Sequence, residues 1–258
     1  MAAEQSAFVW YELMTTDVAA AKVFYGAVVG WKTQDMPMPD MTYTVIQAGE
    51  TGIGGIMKLP REACDAGAKP GWVSYIYAAD VDGAAAKVQR LGGTMHHVPT
   101  DIPNVGRFAM VADPQGAAFY LFKPAQPAQP DKHIPPNTQG HIGWRELHTK
   151  DWPKAFDFYN EMFGWQKGNS VDMGPMGTYQ LFTINGADVG GMMNSPAAAT
   201  RCFWLYYFNV GDIDAAASRI TGSGGKIMHG PQEVPGGGWI IQATDPQGAW
   251  FALVGSRK

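Results

Sequence analysis

Cysteine is nearly missing from the chain. Cys64 and Cys202 are its only two in 258 residues. They cannot make a disulfide framework, and a reducing cytoplasm is the compartment they suit. Charge is scarce as well: Asp, Glu, Lys and Arg supply 16% of the residues against 46% hydrophobic ones, which excludes intrinsic disorder. Lys and Arg form no block and the net charge is −4, so neither nucleic acid nor an anionic membrane is an expected partner. Nowhere does an apolar run reach the roughly 18 residues that a bilayer crossing requires. The opening Met1-Ala2-Ala3-Glu4-Gln5 has neither the basic start nor the apolar stretch of a signal peptide, and a cytoplasmic protein is expected. No phosphate loop, Walker motif or Gly-x-Ser-x-Gly elbow occurs. Gly236-Gly237-Gly238 precedes a strand rather than opening a helix, so it reads as a loop and not as a dinucleotide fingerprint.

What the chain does have is a duplication. Trp10-Tyr11-Glu12-Leu13-Met14-Thr15-Thr16-Asp17 returns as Trp144-Arg145-Glu146-Leu147-His148-Thr149-Lys150-Asp151, an offset of 134. Phe24-Tyr25 and Gly30-Trp31 return at the same offset as Phe158-Tyr159 and Gly164-Trp165. Tyr43 and Gly54-Gly55 match Tyr179 and Gly190-Gly191 at 136; Gly92-Gly93 and Asp113-Pro114-Gln115-Gly116 match Gly224-Gly225 and Asp245-Pro246-Gln247-Gly248 at 132. An offset so steady over this length marks an internal repeat. The chain therefore divides into residues 1–124, a linker at 125–139 and residues 140–258. Pro124–Gln139 holds five prolines, an extended polyproline-type connector. Fully stretched it would span roughly 50 Å at ~3.1 Å per residue.

Each half reads strand, helix, strands, and then the same again. Residues 8–15 alternate and are followed by Asp17, a good N-cap, with a helix over 18–29 that Gly30 is suited to end. Strands are expected near 41–48 and 53–58. A second unit follows with a strand at 72–79, a helix at 82–91, and strands near 94–98, 106–112 and 117–123, with a turn at Asp113–Gly116. The fold class is α+β, built from four βαβββ modules in two tandem domains with curved mixed sheets.

On the opening strand Trp10, Glu12 and Met14 share one face and Tyr11, Leu13 and Thr15 the other; in the second half Trp144, Glu146 and His148 oppose Arg145, Leu147 and Thr149. Leucine centres one face both times, so that face is expected against the helix. Glutamate centres the other, placing one carboxylate in the hollow of each half. Glu12 and Glu146 then either anchor or deprotonate a ligand, or satisfy backbone groups without chemistry. The nine Trp, ten Tyr and fourteen Met exceed what a simple core requires. Met36, Met38, Met41, Met57, Met173, Met176, Met192 and Met193 cluster in corresponding regions, where they fill interfaces or line an adaptable pocket. Trp10, Met14, Tyr43, Tyr120, Trp144 and Tyr206 are the expected ligand-lining residues. Trp31 and Trp165 read as core plugs.

The order strand, Asp, Ala-rich helix ending Phe-Tyr…Gly-Trp, Gly-Gly strand and final Asp-Pro-Gln-Gly turn resembles the vicinal oxygen chelate superfamily. That superfamily includes glyoxalase I, bleomycin-resistance proteins and extradiol dioxygenases, and the nearest likeness is to its tandem glyoxalase-like subfamily. The resemblance covers about 230 residues in both halves. In metal-using members it implies a ligand seven residues before the helix-starting Asp, here Trp10 and Trp144, and a Glu on the last strand, here Tyr120 and Ala252. The remaining positions fall near Ser74, Tyr206, Gly55 and Gly191. None of these suits a divalent metal, so no cofactor is expected. The alternative is a divalent metal held by Glu146 and His148 with His229 or Gln242. The resemblance implies a metal-free binder of a small, partly aromatic or apolar molecule, with two alternatives: a metal-dependent lyase or dioxygenase, or a metal-free isomerase. In the last, Glu146 is the general base and His148 or Tyr179 polarises an oxygen, with the second half favoured because only it places a His beside its Glu. A repeat can satisfy its own module pairing, so a monomer or a homodimer is expected.

Overall fold

A computed structural model describes residues 6–38, 41–126, 135, 137–196 and 201–257. Most of the expected linker, 127–134 and 136, lies outside these described residues, as do positions 39–40 and 197–200. The described chain forms sixteen strands and five α-helices. In the first half these are β1 (Phe8–Thr15), α1 (Val18–Val28), β2 (Lys32–Pro37), β3 (Thr42–Ala48), β4 (Thr51–Lys58), α2 (Arg61–Asp65), β5 (Gly71–Tyr77), α3 (Val81–Arg90), β6 (Thr94–Ile102), β7 (Gly106–Ala112) and β8 (Ala118–Pro124). The second half has β9 (Ile142–Thr149), α4 (Trp152–Phe163), β10 (Gln166–Asp172), β11 (Thr178–Ile184), β12 (Ala187–Asn194), β13 (Phe203–Asp212), α5 (Ile213–Gly222), β14 (Lys226–Glu233), β15 (Trp239–Thr244) and β16 (Trp250–Ser256). No helix among the described residues is long and apolar enough to cross a membrane.

The strands make two eight-stranded mixed sheets, in the orders β2-β3-β4-β1-β5-β8-β7-β6 and β10-β11-β12-β9-β13-β16-β15-β14. This is the α+β class of repeated βαβββ units that the sequence pattern implies. The expected helices hold: Asp17 accepts from the Ala20 N–H at 2.9 Å, Asp151 accepts from Lys154, and Gly164 ends α4 in the left-handed region at φ 73°. One strand per opening module escapes the pattern. β2 and β10 are edge strands of mostly exposed side chains, held by backbone pairing to β3 and β11 rather than by burial. Hydrophobic alternation cannot reveal such strands.

The chain divides into two compact units that do not follow its linear order. One gathers Ser74–His133 with Trp144–Trp204; the other gathers Trp10–Val73 with Leu205–Lys258. The first unit therefore combines the second module of the first half with the first module of the second half. The other unit combines the outer two modules.

Each unit has an aromatic core at the Phe-Tyr helix. In the first, Trp165 stacks on Tyr159 with centroids 5.2 Å apart and on Phe182 at 4.7 Å. In the second, Trp31 stacks on Tyr25 at 5.4 Å and meets Phe208 edge-on at 4.7 Å. Such pairs contribute about 0.5–1.5 kcal/mol each beyond the area they bury. The two tryptophans are core plugs, as expected.

Candidate functional site

Parallel pairing of β9 with β12 sets Glu146 opposite Gly191, Leu147 opposite Met192 and His148 opposite Met193. Leu147 and Met192 are fully buried on one face, which leaves Glu146, His148 and Met193 on the other. Tyr179, from β11, reaches this face, where its hydroxyl donates to Glu146 Oε2 at 2.9 Å. The same hydroxyl accepts from the Trp144 indole N–H at 2.7 Å. The other carboxylate oxygen, Glu146 Oε1, lies 2.7 Å from His148 Nε2. Phe203 stacks on the His148 ring, with centroids 4.9 Å apart and planes at 6°. The opening strand and its neighbours thus assemble Trp144, Tyr179, Glu146 and His148 into one hydrogen-bonded chain.

Gly191 makes that chain sterically feasible. A Cβ built there would run into the Tyr179 ring and hydroxyl, so only glycine lets the tyrosine cross β12 to the carboxylate on β9. The same device recurs in the first half: Gly55 sits opposite Glu12, and a Cβ on it would strike the Tyr43 ring. Trp10 donates to the Tyr43 hydroxyl at 2.8 Å, and Glu12 is 2% exposed. The position of His148 is taken there by Met14, opposite Met57. The sequence reading singled out the Trp, Glu, Tyr and His. It missed Gly55 and Gly191 as their steric partners, and Phe203 altogether. A signal for the glycines existed: Tyr43 and Gly55 move to Tyr179 and Gly191 by a common offset of 136, whereas Trp10 and Glu12 on the opening strand move by 134.

The other expected lining residues are placed elsewhere. Tyr120 stacks on Tyr75 at 4.3 Å and meets Phe108 edge-on at 5.9 Å, an aromatic wall on β5, β7 and β8 extended by His97, which stacks on Phe108. Tyr206 is 1% exposed and sits edge-on against Tyr11, which shares its strand face with the buried Leu13; it contributes to the core. Its neighbour Tyr207 instead accepts from the Gln242 amide at 2.8 Å. Among the methionines, Met192 is core, whereas Met36, Met38 and Met176 are exposed. A shallow apolar groove lined by Ala19, Val23, Phe24, Gly222 and Pro246 lies on α1 and α5, not on the glutamate-bearing face.

These residues do not fit the divalent metal of the superfamily's metal-using members. Trp10 and Trp144 use their indole N–H groups as donors to tyrosine and have no lone pair for a cation. Tyr120 is stacked in its wall, and Ala252 offers no ligand atom. For the alternative set, Gln242 is bonded to Tyr207 and His229 is exposed on β14. Among the described residues no group of three His, Cys, Asp or Glu side chains could hold a metal.

The repeated Asp-Pro-Gln-Gly turn and Phe-Tyr helix prove to be partners. Within the first unit Trp204 donates to the Tyr159 hydroxyl at 3.0 Å, and that hydroxyl donates to Asp113 Oδ2 at 3.2 Å. In the second, Trp72 donates to Tyr25 at 2.9 Å and Tyr25 to Asp245 at 3.2 Å. The other oxygen of each aspartate accepts two turn N–H groups. Burial pushes both carboxyl groups above the usual Asp range, with those donors opposing it, and burial beside Asp245 pushes the Tyr25 hydroxyl up. These networks are structural: they tie each turn to a helix of the other half.

Comparison with known proteins agrees with this architecture. Residues 138–253 match the model of the Glyoxalase/Bleomycin resistance protein/Dioxygenase superfamily, and residues 7–49 match that of the bleomycin resistance protein-like N-terminal family. The chain is 32% identical over 250 residues to "Putative glyoxylase CFP32" of Mycobacterium bovis, covering 95% of this chain and 93% of that one. It is 28% identical over 262 residues to anthracycline biosynthesis protein DnrV of Streptomyces peucetius, covering 96% and 93%. Among solved structures, the Mn(II)-bound glyoxalase of Novosphingobium aromaticivorans superposes with a TM-score of 0.65 at 16% identity, over 99% of this chain and 83% of that one. Homoprotocatechuate 2,3-dioxygenase of Arthrobacter globiformis gives 0.67 at 14% identity, over 98% and 80%. At those identities the solved structures speak for the fold alone.

Proposed function

The chain belongs to the Glyoxalase/Bleomycin resistance protein/Dioxygenase superfamily, and from that premise we propose that it binds a small, partly aromatic or apolar molecule without the superfamily's metal. The observation that carries this reading is the fate of the first-strand ligand position. In both halves it is a tryptophan whose only polar hydrogen is spent on a tyrosine hydroxyl. A frame of Trp, Tyr and Met around a buried carboxylate suits a planar molecule with a polar end: rings and thioethers supply contact area, and a few placed polar groups set orientation. The ligand site in this reading is the face of Trp144, Glu146, His148, Tyr179 and Met193, with the Tyr75–Tyr120 wall as a second aromatic surface. The relative named for anthracycline biosynthesis supports a polycyclic aromatic ligand. Action in the cytoplasm accords with the two free cysteines.

Calorimetric titration of the full chain against a panel of planar aromatic metabolites and antibiotics tests the proposal. At least one compound is expected to bind below about 100 µM, with affinity unchanged by chelator treatment. Metal analysis of protein purified without chelator is expected to find no near-stoichiometric Zn, Ni, Mn or Fe. A tightly held metal whose removal abolishes binding or turnover would overturn it in favour of a metal-dependent lyase or dioxygenase.

A further inference from the structure

Resting on the reading that this face binds a small molecule, we propose that His148 is the proton acceptor for an ionisable hydroxyl, a phenol or an enol, on that molecule. Both oxygens of Glu146 are already used: Oε2 accepts from Tyr179, and Oε1 bonds His148 Nε2. Glu146 is 5% exposed, so an incoming ligand meets the end of the hydrogen-bonded chain rather than the carboxylate. That end is the imidazole. As a carboxylate Glu146 can only accept, so the hydrogen of the short contact belongs to Nε2 and the neutral ring presents Nδ1 as a bare lone pair. Among the described residues nothing bonds Nδ1, and the side chain keeps 14% exposure. Phe203 covers one ring face and fixes the plane.

A bare, sp² nitrogen lone pair selects for a donor. A ligand ether or carbonyl placed there would leave Nδ1 desolvated and unsatisfied, which is how a polar site discriminates strongly between otherwise similar molecules. A hydroxyl satisfies it, and an acidic hydroxyl can go further. Its O–H bond breaks, an N–H bond forms on Nδ1, and the electron pair stays on the ligand oxygen. The resulting imidazolium is held through Nε2–H by the Glu146 carboxylate, a charge-assisted pair. No electrons leave the ligand and no co-reactant is needed. The first half cannot do this, because Met14 stands at the equivalent position.

The probes are 3-nitrophenol and its methyl ether 3-nitroanisole, which share size and aromatic character and differ in the ionisable hydrogen; this phenol is weak enough an acid to be studied above the ordinary imidazole pKa, where the ring is neutral. Wild-type chain, buffered about one pH unit below the phenol's own pKa, is expected to bind the phenol at least ~10-fold more tightly than the ether and to show the absorption band of bound phenolate. His148→Met, which copies the first half, and His148→Gln, whose amide can still donate to Glu146, are each expected to reduce that preference to within ~2-fold and to abolish the band. Nitrogen NMR of the unliganded chain is expected to show a pyridine-type Nδ1 and a protonated Nε2 at His148. The reverse tautomer overturns the inference, and so does equal binding of the two probes. If neither probe binds while other panel compounds do, the inference falls and the binding reading stands. If nothing binds, both fall.

Discussion

The two compact units hold the same parts, and two of the differences between them bear on the candidate site and its support. Each has a Trp–Tyr frame laid over a glycine beside a buried glutamate, and each has an Asp-Pro-Gln-Gly turn whose aspartate receives a tyrosine hydroxyl. In the unit of Trp144–Trp204 the strand face ends in His148; in the unit of Trp10–Val73 it ends in Met14. The glutamines of the two turns differ as well. Gln115 accepts from the Lys150 and Asp151 N–H groups at 3.1 and 2.8 Å and donates to the Asp151 carbonyl at 2.8 Å. Gln247 occupies the same turn position, but its buried Oε1 has no partner. A duplicated scaffold therefore keeps its supporting steric and hydrogen-bonded parts in both copies while one copy alone gains a titratable group on the face and a satisfied clamp behind it. Chemistry is expected in the unit where both differences favour it.

The largest expected effect strikes what the units share. Gly191→Ala should force Tyr179 off Glu146, combining overpacking with loss of a buried hydrogen-bond partner, and Gly55→Ala should push the Tyr43 ring and hydroxyl off β4, at about 2–4 kcal/mol apiece. Urea denaturation of each variant measures this, and similar losses in both would establish that the frame is structural in both units. Only Gly191→Ala should also abolish discrimination between the phenol and ether probes. A cost confined to Gly191→Ala would break the equivalence of the two frames.

The glutamine pair gives a smaller and asymmetric effect. Gln115→Leu removes three hydrogen bonds at the entry to α4 and leaves two amide hydrogens and a carbonyl to find water, so a loss of about 1–3 kcal/mol is expected. Gln247→Leu removes a buried oxygen that has no partner, so its effect should fall between neutral and about 1 kcal/mol of stabilisation. Equal losses at the two sites, read from the same denaturation curves, would mean that the second clamp is made in solution.

Which of these features could be read from the sequence follows from their physics. The repeat, the caps at Asp17 and Asp151, the glutamate faces and the Trp31 and Trp165 plugs all announce themselves through local spacing, because periodicity and capping are local effects. β2 and β10 escaped because edge strands are held by backbone pairing and carry mostly exposed side chains. The Tyr–Asp networks escaped for a different reason. Asp113 and Tyr159 are 46 residues apart, and Tyr25 and Asp245 are 220 apart; nothing local links a turn in one half to a helix in the other. At the candidate site, the side chains sharing strand β9 were legible from alternation. Tyr179 was named from the repeat, but its reach across Gly191, like the contribution of Phe203, depends on register between strands, which a single sequence does not state.

The smallest expected effect tests whether the aspartate networks are as alike as their distances. Burial raises the carboxyl groups of Asp113 and Asp245 above the ordinary value of 3.8, against the pull of turn N–H groups and a tyrosine hydroxyl. A carboxyl group whose pKa is higher folded than unfolded contributes stability below the unfolded value and loses it as pH rises through the folded one. Asparagine cannot titrate, so the stability of wild type relative to Asp113→Asn should decline as pH is raised from 3.8 and level off once the folded carboxyl group has ionised. Asp245→Asn should give a curve of the same sign, since burial leads the causes in both units. Denaturation across a pH series supplies both curves. A wild type that gained on its variant with rising pH would mean that the converging donors outweigh burial, making the ionised carboxylate the stabilising form of the network. If only one unit behaved that way, the divergence between the copies would reach into their cores and not stop at His148 and Gln115.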